Sequence, residues 1–195
     1  QSQPDVYSVF QTFKSIRKSD VVIFMIDATE TITKQDQVIA GEILELAKGV
    51  IIVANKMDKY EGSKKELQDY ISSHFPFLWF APVFFTSSLD GENLDEIIKA
   101  IKPIYEARNK TTDQYDIDGL LNATLKTNPP RRMLDQKVPK VYGLEQIGVN
   151  APMFELIVNH PAAISAQYKR YLEKEIIKKL EYWGTPIKLH LRKKD

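Results

Sequence analysis

Short apolar runs alternate with helix-period segments along the first half of the chain. The runs at residues 21–26, 49–54 and 81–85 are bounded by polar or turn-forming residues. The first two are unbroken, which is typical of strands buried on both faces of a parallel sheet. Apolar residues recur at helical spacing between the runs. Helices are predicted over 6–16, 33–48, 63–75 and 93–108, with Thr33 and Ser63 as start signals and Gly49 as the stop of the second.

The second half has a different order of elements. Residues 109–115 are polar and aperiodic, which predicts a linker. Beyond them the pattern predicts a helix, two strands, a long helix and a last strand, an αββαβ order. The predicted bounds are 117–126, 138–147, 153–158, 164–183 and 187–191. Strands that alternate with helices in the first half predict parallel βαβ units, so the chain reads as an α/β domain followed by a small α+β domain.

A polar tetrapeptide, Asn55-Lys56-Met57-Asp58, follows the second apolar run directly. It has the form Asn-Lys-x-Asp, and ligands of open parallel sheets bind at the carboxyl ends of strands. The Asp58 carboxylate can accept two parallel hydrogen bonds from the ring N–H and the exocyclic amine of guanine. Adenine has no such donor pair and would leave the carboxylate unpaired, at a cost of about 1–3 kcal/mol. We expect Asn55 to tie the loop to the base edge and the Lys56 stem to lie along the base plane.

A second polar loop follows the third apolar run, where Ser87 and Ser88 come after Phe84-Phe85-Thr86. It resembles the Ser-Ala loop that presents a backbone N–H to the guanine carbonyl in GTP-binding proteins, with Ser in place of Ala. Two such loops, in order and on successive strand ends, favour a guanine site over an ordinary polar turn. The predicted guanine-binding residues are Asn55, Lys56, Asp58, Ser87 and Ser88.

Several further motifs make the chain similar to the bacterial ribosome-assembly GTPase family known as Der or EngA. They are Tyr7-Ser8-Val9, Asp27-Ala28-Thr29-Glu30 with Ile32-Thr33 and Gln35-Asp36, Ile39-Ala40-Gly41, Tyr168-Lys169-Arg170-Tyr171-Leu172 and Gly184-Thr185-Pro186-Ile187. That family carries two tandem GTPase domains and a KH-like domain. The resemblance implies the C-terminal part of a GTPase domain at 1–110, with an incomplete P-loop GTPase-type parallel sheet, and a small α+β KH-like domain at 116–195. It implies GTP or GDP as ligand, Mg²⁺ in the complete protein, and a role in ribosome biogenesis, in particular large-subunit assembly.

The phosphate-binding motifs of that family are not found. Gly143 and Gly148 have P-loop spacing, but Val149-Asn150 follows in place of Lys-Ser/Thr. An Asp-x-x-Gly run, Asp116–Gly119, lies on the wrong side of the Asn-Lys-x-Asp loop. The chain also has no initiating Met, so we expect it to be a piece of a longer GTPase. We expect no catalytic residue and no Mg²⁺ ligand in this chain, and the chain alone is predicted to be inactive. The alternatives are a degenerate, non-hydrolysing scaffold or an RNA- or ribosome-binding module.

Charge separates the two halves. Residues 1–115 carry a net −4 and residues 116–195 a net +5, within a total of +1. The basic half fits a polyanionic partner, although +5 over this length is also ordinary for a solvated surface. No Gly-x-x-Gly clamp of KH domains occurs. The candidate RNA contacts are Arg131, Arg132, Lys137 and Lys140. Expected partners are guanine nucleotide, rRNA of the large ribosomal subunit and an upstream GTPase domain.

Other signals exclude function classes. The chain has no cysteine, and His74, His160 and His190 lack ligand spacing, so we expect no metal site built from these residues. No apolar run reaches the length of a membrane span, and no signal-peptide pattern opens the chain. A cytoplasmic location is expected. Asp27 ends a strand, a position that could also suit a catalytic carboxylate, and it is expected to cap a helix or a loop.

Overall fold

The computed structural model describes residues 6–131 and 138–194, with side chains from residue 10 onward. It divides the chain into two compact units, Gln1–Glu106 and Ala107–Asp195. The first unit is α/β and the second is a mixed sheet with helices, as the sequence predicts.

The first unit alternates helices and strands around a three-stranded parallel sheet of order β1-β2-β3. Its strands are β1 (Val21–Asp27), β2 (Gly49–Asn55) and β3 (Val83–Phe85). Its helices are α1 (Val6–Lys18), α2 (Lys34–Glu45), α3 (Lys64–His74) and α4 (Leu94–Asn109), the last of which extends into the second unit. Short 3₁₀ turns lie at Met57–Lys59 and Pro76–Leu78. All strands run in one direction, so their carboxyl ends meet at one edge of the sheet.

The two long strands differ in burial because of their places in the sheet. β2 is central and buried along nearly its whole length, where Ile51 and Val53 pack against Ile97 and Ile104 of α4. The prediction that the first run is buried on both faces is wrong. Ile23 and Met25 of β1 are 44% and 53% exposed, whereas Phe24 and Ile26 on the opposite face are buried, so among the described residues only one face of β1 is covered.

Helix starts follow their local signals. The side chains of Thr33 and Ser63 each accept a hydrogen bond from the backbone N–H three residues on. The carboxylates of Asp36 and Glu66 in turn accept from the backbone N–H of Thr33 and Ser63, which completes a capping box at each helix start. The predicted stop of α2 is wrong. The helix ends at Glu45, and Ala47, not Gly49, takes the left-handed conformation, with φ 49°.

The second unit has the predicted αββαβ order. Helices α5 (Gln114–Thr127) and α6 (Ala166–Lys179) accompany a sheet of order β4-β5-β6, built from β4 (Val141–Gly148), β5 (Met153–Val158) and β6 (Lys188–Lys193), with a 3₁₀ turn at Pro161–Ala163. β4 pairs antiparallel and β6 parallel to β5. α5 contacts β4 and α6, and α6 contacts β6, so both helices bury their apolar stripes towards the sheet. α6 is shorter than predicted and stops at Lys179.

The segment predicted as a linker is bonded to the second unit. Thr112 makes a 2.7 Å bond between its hydroxyl and that of Tyr182. Just before it, Arg108 is 2% exposed, and its Nη2 donates to Asn150 Oδ1 at 2.8 Å. A fully buried guanidinium needs such acceptors, since unpaired burial of a charge is costly. Residues 107–112 therefore belong structurally to the second unit.

Candidate functional site

Backbone hydrogen bonds join three loops at the carboxyl edge of the first sheet. The end of β1 lies beside the end of β2, with Asp27 paired to Asn55. The Ala28 N–H donates to the Asn55 carbonyl at 2.9 Å, and the Met57 N–H donates to the Thr86 carbonyl at 3.0 Å. The two predicted guanine-recognition loops are thus neighbours in space, as expected for successive parallel strands.

Asn55 connects these two loops through its side chain. Its Oδ1 accepts from the Thr86 hydroxyl at 3.2 Å, from the Ser88 N–H at 3.0 Å and from the Ser88 hydroxyl at 2.9 Å. Because the oxygen takes these donors, the amide NH₂ is the group that remains to meet a ligand. The Ser88 N–H, which the sequence assigns to the guanine carbonyl, is engaged with Asn55 in this structure.

Asp58 lies in the 3₁₀ turn that follows and is held by the second loop. Its Oδ1 is 2.9 Å from the Ser87 hydroxyl, which donates to it. Ser87 is completely buried whereas Asp58 is exposed, so a buried hydroxyl lies within hydrogen-bond distance of one oxygen of a solvent-facing carboxylate. The arrangement leaves acceptor capacity on Asp58 for two further donors.

Lys56 occupies a left-handed backbone position, with φ 67°, which a non-glycine residue adopts only when its surroundings hold it there. Its ammonium forms an ion pair with Asp27. Asp27 also accepts from the N–H and hydroxyl of Thr29 at 2.9 and 2.7 Å, which is the loop-capping geometry expected for it. The Lys56 hydrogen bond, followed by those of Thr29, lowers the pKa of Asp27 to about 2.

The Asp27–Lys56 pair was missed by sequence reasoning. Each residue was identified separately, but nothing in the local pattern joins residues 29 positions apart. The available signal was the strand order. Asp27 ends β1 and pairs with Asn55 at the end of the neighbouring parallel strand β2, and Lys56 follows Asn55 directly. The pair holds the Lys56 ammonium at the edge of the site.

The donor and acceptor set at this edge fits a planar base that offers two adjacent N–H donors and a ring acceptor. Asp58 supplies the acceptor pair and Asn55 the amide donor. Among the described residues, neither of the two stretches that resemble phosphate-binding motifs in sequence has the required conformation. The stretch Asp116–Gly119 lies within helix α5, and Gly143 and Gly148 lie within β4, so neither forms a phosphate loop. Within the described ranges, no group of three His, Asp or Glu side chains could hold a metal ion.

The candidate RNA contacts are only partly visible. Arg131 follows α5 and is exposed. Lys140 precedes β4, also exposed, and Asn159 holds its backbone through bonds of 2.8 and 3.0 Å. Arg132 and Lys137 lie outside the described residues. Across residues 6–131 and 138–194, no helix is long and apolar enough to cross a membrane.

Comparison with known proteins finds two family matches, one for each half of the chain. Residues 9–107, just over half of the chain, match the family described as the elongation factor Tu GTP binding domain. The class is therefore that of the GTP-binding domains. Residues 115–192 match the family described as the KH-domain-like region of EngA bacterial GTPase enzymes, C-terminal. The chain belongs to the Der, or EngA, family of bacterial GTPases.

Two curated relatives agree with that assignment. The GTPase Der of Thermomicrobium roseum is 32% identical over 97% of this chain and 42% of its own length. That of Lactobacillus acidophilus is 35% identical over 96% of this chain and 44% of its own. The chain thus spans less than half the length of these curated relatives. A crystal structure of Aquifex aeolicus Era bound to GDP and AlF₄⁻ is 24% identical over 98% of this chain and 73% of that one, with a TM-score of 0.44.

Proposed function

We propose that the complete protein is a GTP-binding GTPase in ribosome biogenesis, and that this chain supplies its guanine-recognition end and its KH-like domain. The observation that carries the proposal is the pairing of two loops at one sheet edge. Asn55 binds the Ser88 loop, and buried Ser87 holds the exposed carboxylate of Asp58. Both loops therefore bring their polar groups to one edge of the sheet, where a single base can meet them.

Guanine is the base that satisfies this edge. Its ring N–H and exocyclic amine would both donate to Asp58, and the Asn55 amide would donate to the ring. The Lys56 stem would cover the base plane while its ammonium stays with Asp27. To reach the guanine carbonyl, the Ser88 N–H must turn from Asn55 or be shared with it.

Phosphate and Mg²⁺ chemistry is proposed to come from segments outside this chain. Two stretches resemble the missing motifs in sequence, but Asp116 to Gly119 lies in helix α5 and Gly143 to Gly148 lies in strand β4. Because phosphate contacts supply much of a nucleotide's affinity, the 195-residue chain alone is expected to bind GTP weakly and to hydrolyse none. The same observation favours the second candidate, a non-hydrolysing scaffold. GTP hydrolysis by the complete protein would support the first candidate, and its absence the second.

The KH-like unit is proposed to face rRNA during assembly of the large ribosomal subunit. Its family match and the net +5 of residues 116–195 support a polyanionic partner. The proposed contacts are Arg131, Arg132, Lys137 and Lys140. Replacing all four by Ala should weaken binding to the large subunit and flatten its salt dependence, because fewer counterions are released. Unchanged affinity and slope would remove these residues from the role.

The central test is Asp58→Asn in the full-length protein. Asn presents one acceptor and one donor, so it mismatches the exocyclic amine of guanine but matches the ring N–H and carbonyl of xanthine. We expect the preference for GTP over ATP to fall by about tenfold or more, and XTP binding to rise. Asp69→Asn on α3 makes the same charge change at another exposed position and should leave base preference unchanged. An unaltered preference in Asp58→Asn would refute the guanine role.

A further inference from the structure

The hydroxyl of Ser87 lies between two carboxylates. Its Oγ is 2.9 Å from Asp58 Oδ1 and 2.7 Å from Asp90 Oδ2. It also accepts the Asp90 backbone N–H at 3.2 Å. A serine hydroxyl has a single hydrogen to donate, so two acceptors compete for one donor. Because Ser87 is completely buried, water is poorly placed to supply a second hydrogen at the same oxygen.

We propose that Asp90 is a positioning residue that draws the Ser87 proton away from Asp58 and thereby weakens guanine binding. The inference rests on the proposed function, since it concerns the carboxylate assigned to the base. The proposed role differs from an ordinary structural role in the direction of its effect on guanine binding. A carboxylate that merely stabilises its turn would be needed for binding, whereas a competing carboxylate opposes binding.

The competition matters most when a base is bound. Without a base, the exposed Asp58 carboxylate can turn towards water and does not depend on the Ser87 proton. Two donors from guanine would fix the carboxylate beside Ser87. There, an Oγ that donates to Asp90 leaves two oxygen acceptors facing each other at 2.9 Å without a hydrogen between them. Asp90 therefore disfavours the bound state more than the free state.

Replacement of Asp90 leaves Asp58 as the acceptor for the Ser87 hydroxyl proton. In Asp90→Ala the competing acceptor is gone, and in Asp90→Asn the amide can donate to Ser87 Oγ while the hydroxyl donates to Asp58. The backbone N–H of residue 90 still bonds Ser87 in both variants. We expect GDP to bind about two- to tenfold more tightly, the range of a single net hydrogen bond. ADP offers Asp58 no donor pair, so the ratio of GDP to ADP affinity should rise.

The experiment measures GDP and ADP affinity by titration calorimetry on the full-length protein. The relevant site is the one that Asp58→Asn weakens. Glu92→Gln is the matched control for charge. Glu92 lies on the same loop, but its carboxylate contacts Lys64 and Asn93 rather than Ser87. If lost negative charge alone favoured the nucleotide, Glu92→Gln would tighten binding as much as Asp90→Asn, and that result would overturn the inference.

A double-mutant cycle with Ser87→Ala tests the route of the effect. Without the hydroxyl, Asp90→Asn should change GDP affinity by less than about twofold, because the shared proton is absent. Weaker GDP binding in Asp90→Asn and Asp90→Ala, or an equal gain in the Ser87→Ala background, would refute the inference. Either result leaves the guanine role of Asp58 standing. Only an unaltered base preference in Asp58→Asn removes the proposed function itself.

Discussion

Tyr168→Phe should stabilise the second unit, although it removes a polar atom from a buried tyrosine. Tyr168 lies in the first turn of α6 and is 7% exposed. Its hydroxyl finds no hydrogen-bond partner among the described residues. A buried hydroxyl that loses water without gaining a partner has a net cost in folding. Phenylalanine keeps the ring and removes that cost.

The magnitude follows from the desolvation of one hydroxyl. An unsatisfied buried polar group costs about 1–3 kcal/mol, and partial relaxation around the ring places the expected gain near 1 kcal/mol. For a domain of about 60–100 residues, a gain of this size raises Tm by roughly 4–8 °C. The matched control is Tyr182→Phe. Tyr182 is completely buried in the same unit, but its hydroxyl bonds Thr112 at 2.7 Å, so the same change should lose about 1 kcal/mol.

Alkaline pH gives an independent readout of Tyr168. Burial raises its pKa from 10.0 to about 12, because the charged phenolate is disfavoured in the fold. Since the folded pKa lies above the unfolded one, the contribution of neutral Tyr168 is fully present below pH 10. It is lost as pH rises towards 12. Tyr168→Phe should reduce the loss of stability across that window relative to wild type.

The assay is urea unfolding in a Trp79→Phe background, in which Trp183 is the remaining tryptophan and reports on the second unit. The midpoint should rise in Tyr168→Phe and fall in Tyr182→Phe at equal m-values. A fall of about 1 kcal/mol in Tyr168→Phe would refute the reasoning, since it would require a hydrogen bond at that hydroxyl.

Two further predictions concern local charge and backbone conformation. Lys56→Met should raise the pKa of Asp27 from about 2 towards 3.8, measured by NMR titration of the carboxyl carbon. Because the pKa of Asp27 is depressed in the folded state, the ion pair's contribution to stability is present above pH 4 and is lost as pH falls towards 2. The stability of Lys56→Met should therefore change less with pH across that window than the stability of wild type. An unchanged Asp27 pKa in Lys56→Met would contradict the ion pair. Glu181→Gly should stabilise the second unit by about 0.5–1 kcal/mol, because exposed Glu181 is left-handed with φ 54°. Glu175→Gly within α6 should lose about 1 kcal/mol in the same urea assay, and a loss in both variants would refute the backbone argument.

Features that depend on near neighbours were predictable. Thr33 and Ser63 start helices because their capping partners lie three residues away, and these starts were confirmed. The parallel order of the first unit and the αββαβ order of the second follow from the periods of apolar residues. Helix ends were less predictable. The stop of α2 falls at Glu45 because Lys48 and Ala47 bond back to Ile43 and Leu44, and that geometry accepts alanine where glycine is usual.

By itself, the sequence determined which residues are candidates for ligand recognition, because Asn55, Asp58 and Ser87 have suitable side chains and follow apolar runs that predict strands. Tertiary structure decided what those side chains bond to. Ile23 is exposed because only the face of β1 that carries Phe24 and Ile26 is covered among the described residues, and an unbroken apolar run does not say which face is covered. The Ser87 proton has two acceptors only because a turn returns Asp90 to a residue that the fold already holds beside Asp58. Distances between residues far apart in the chain depend on how all strands pack together, and no local pattern contains them.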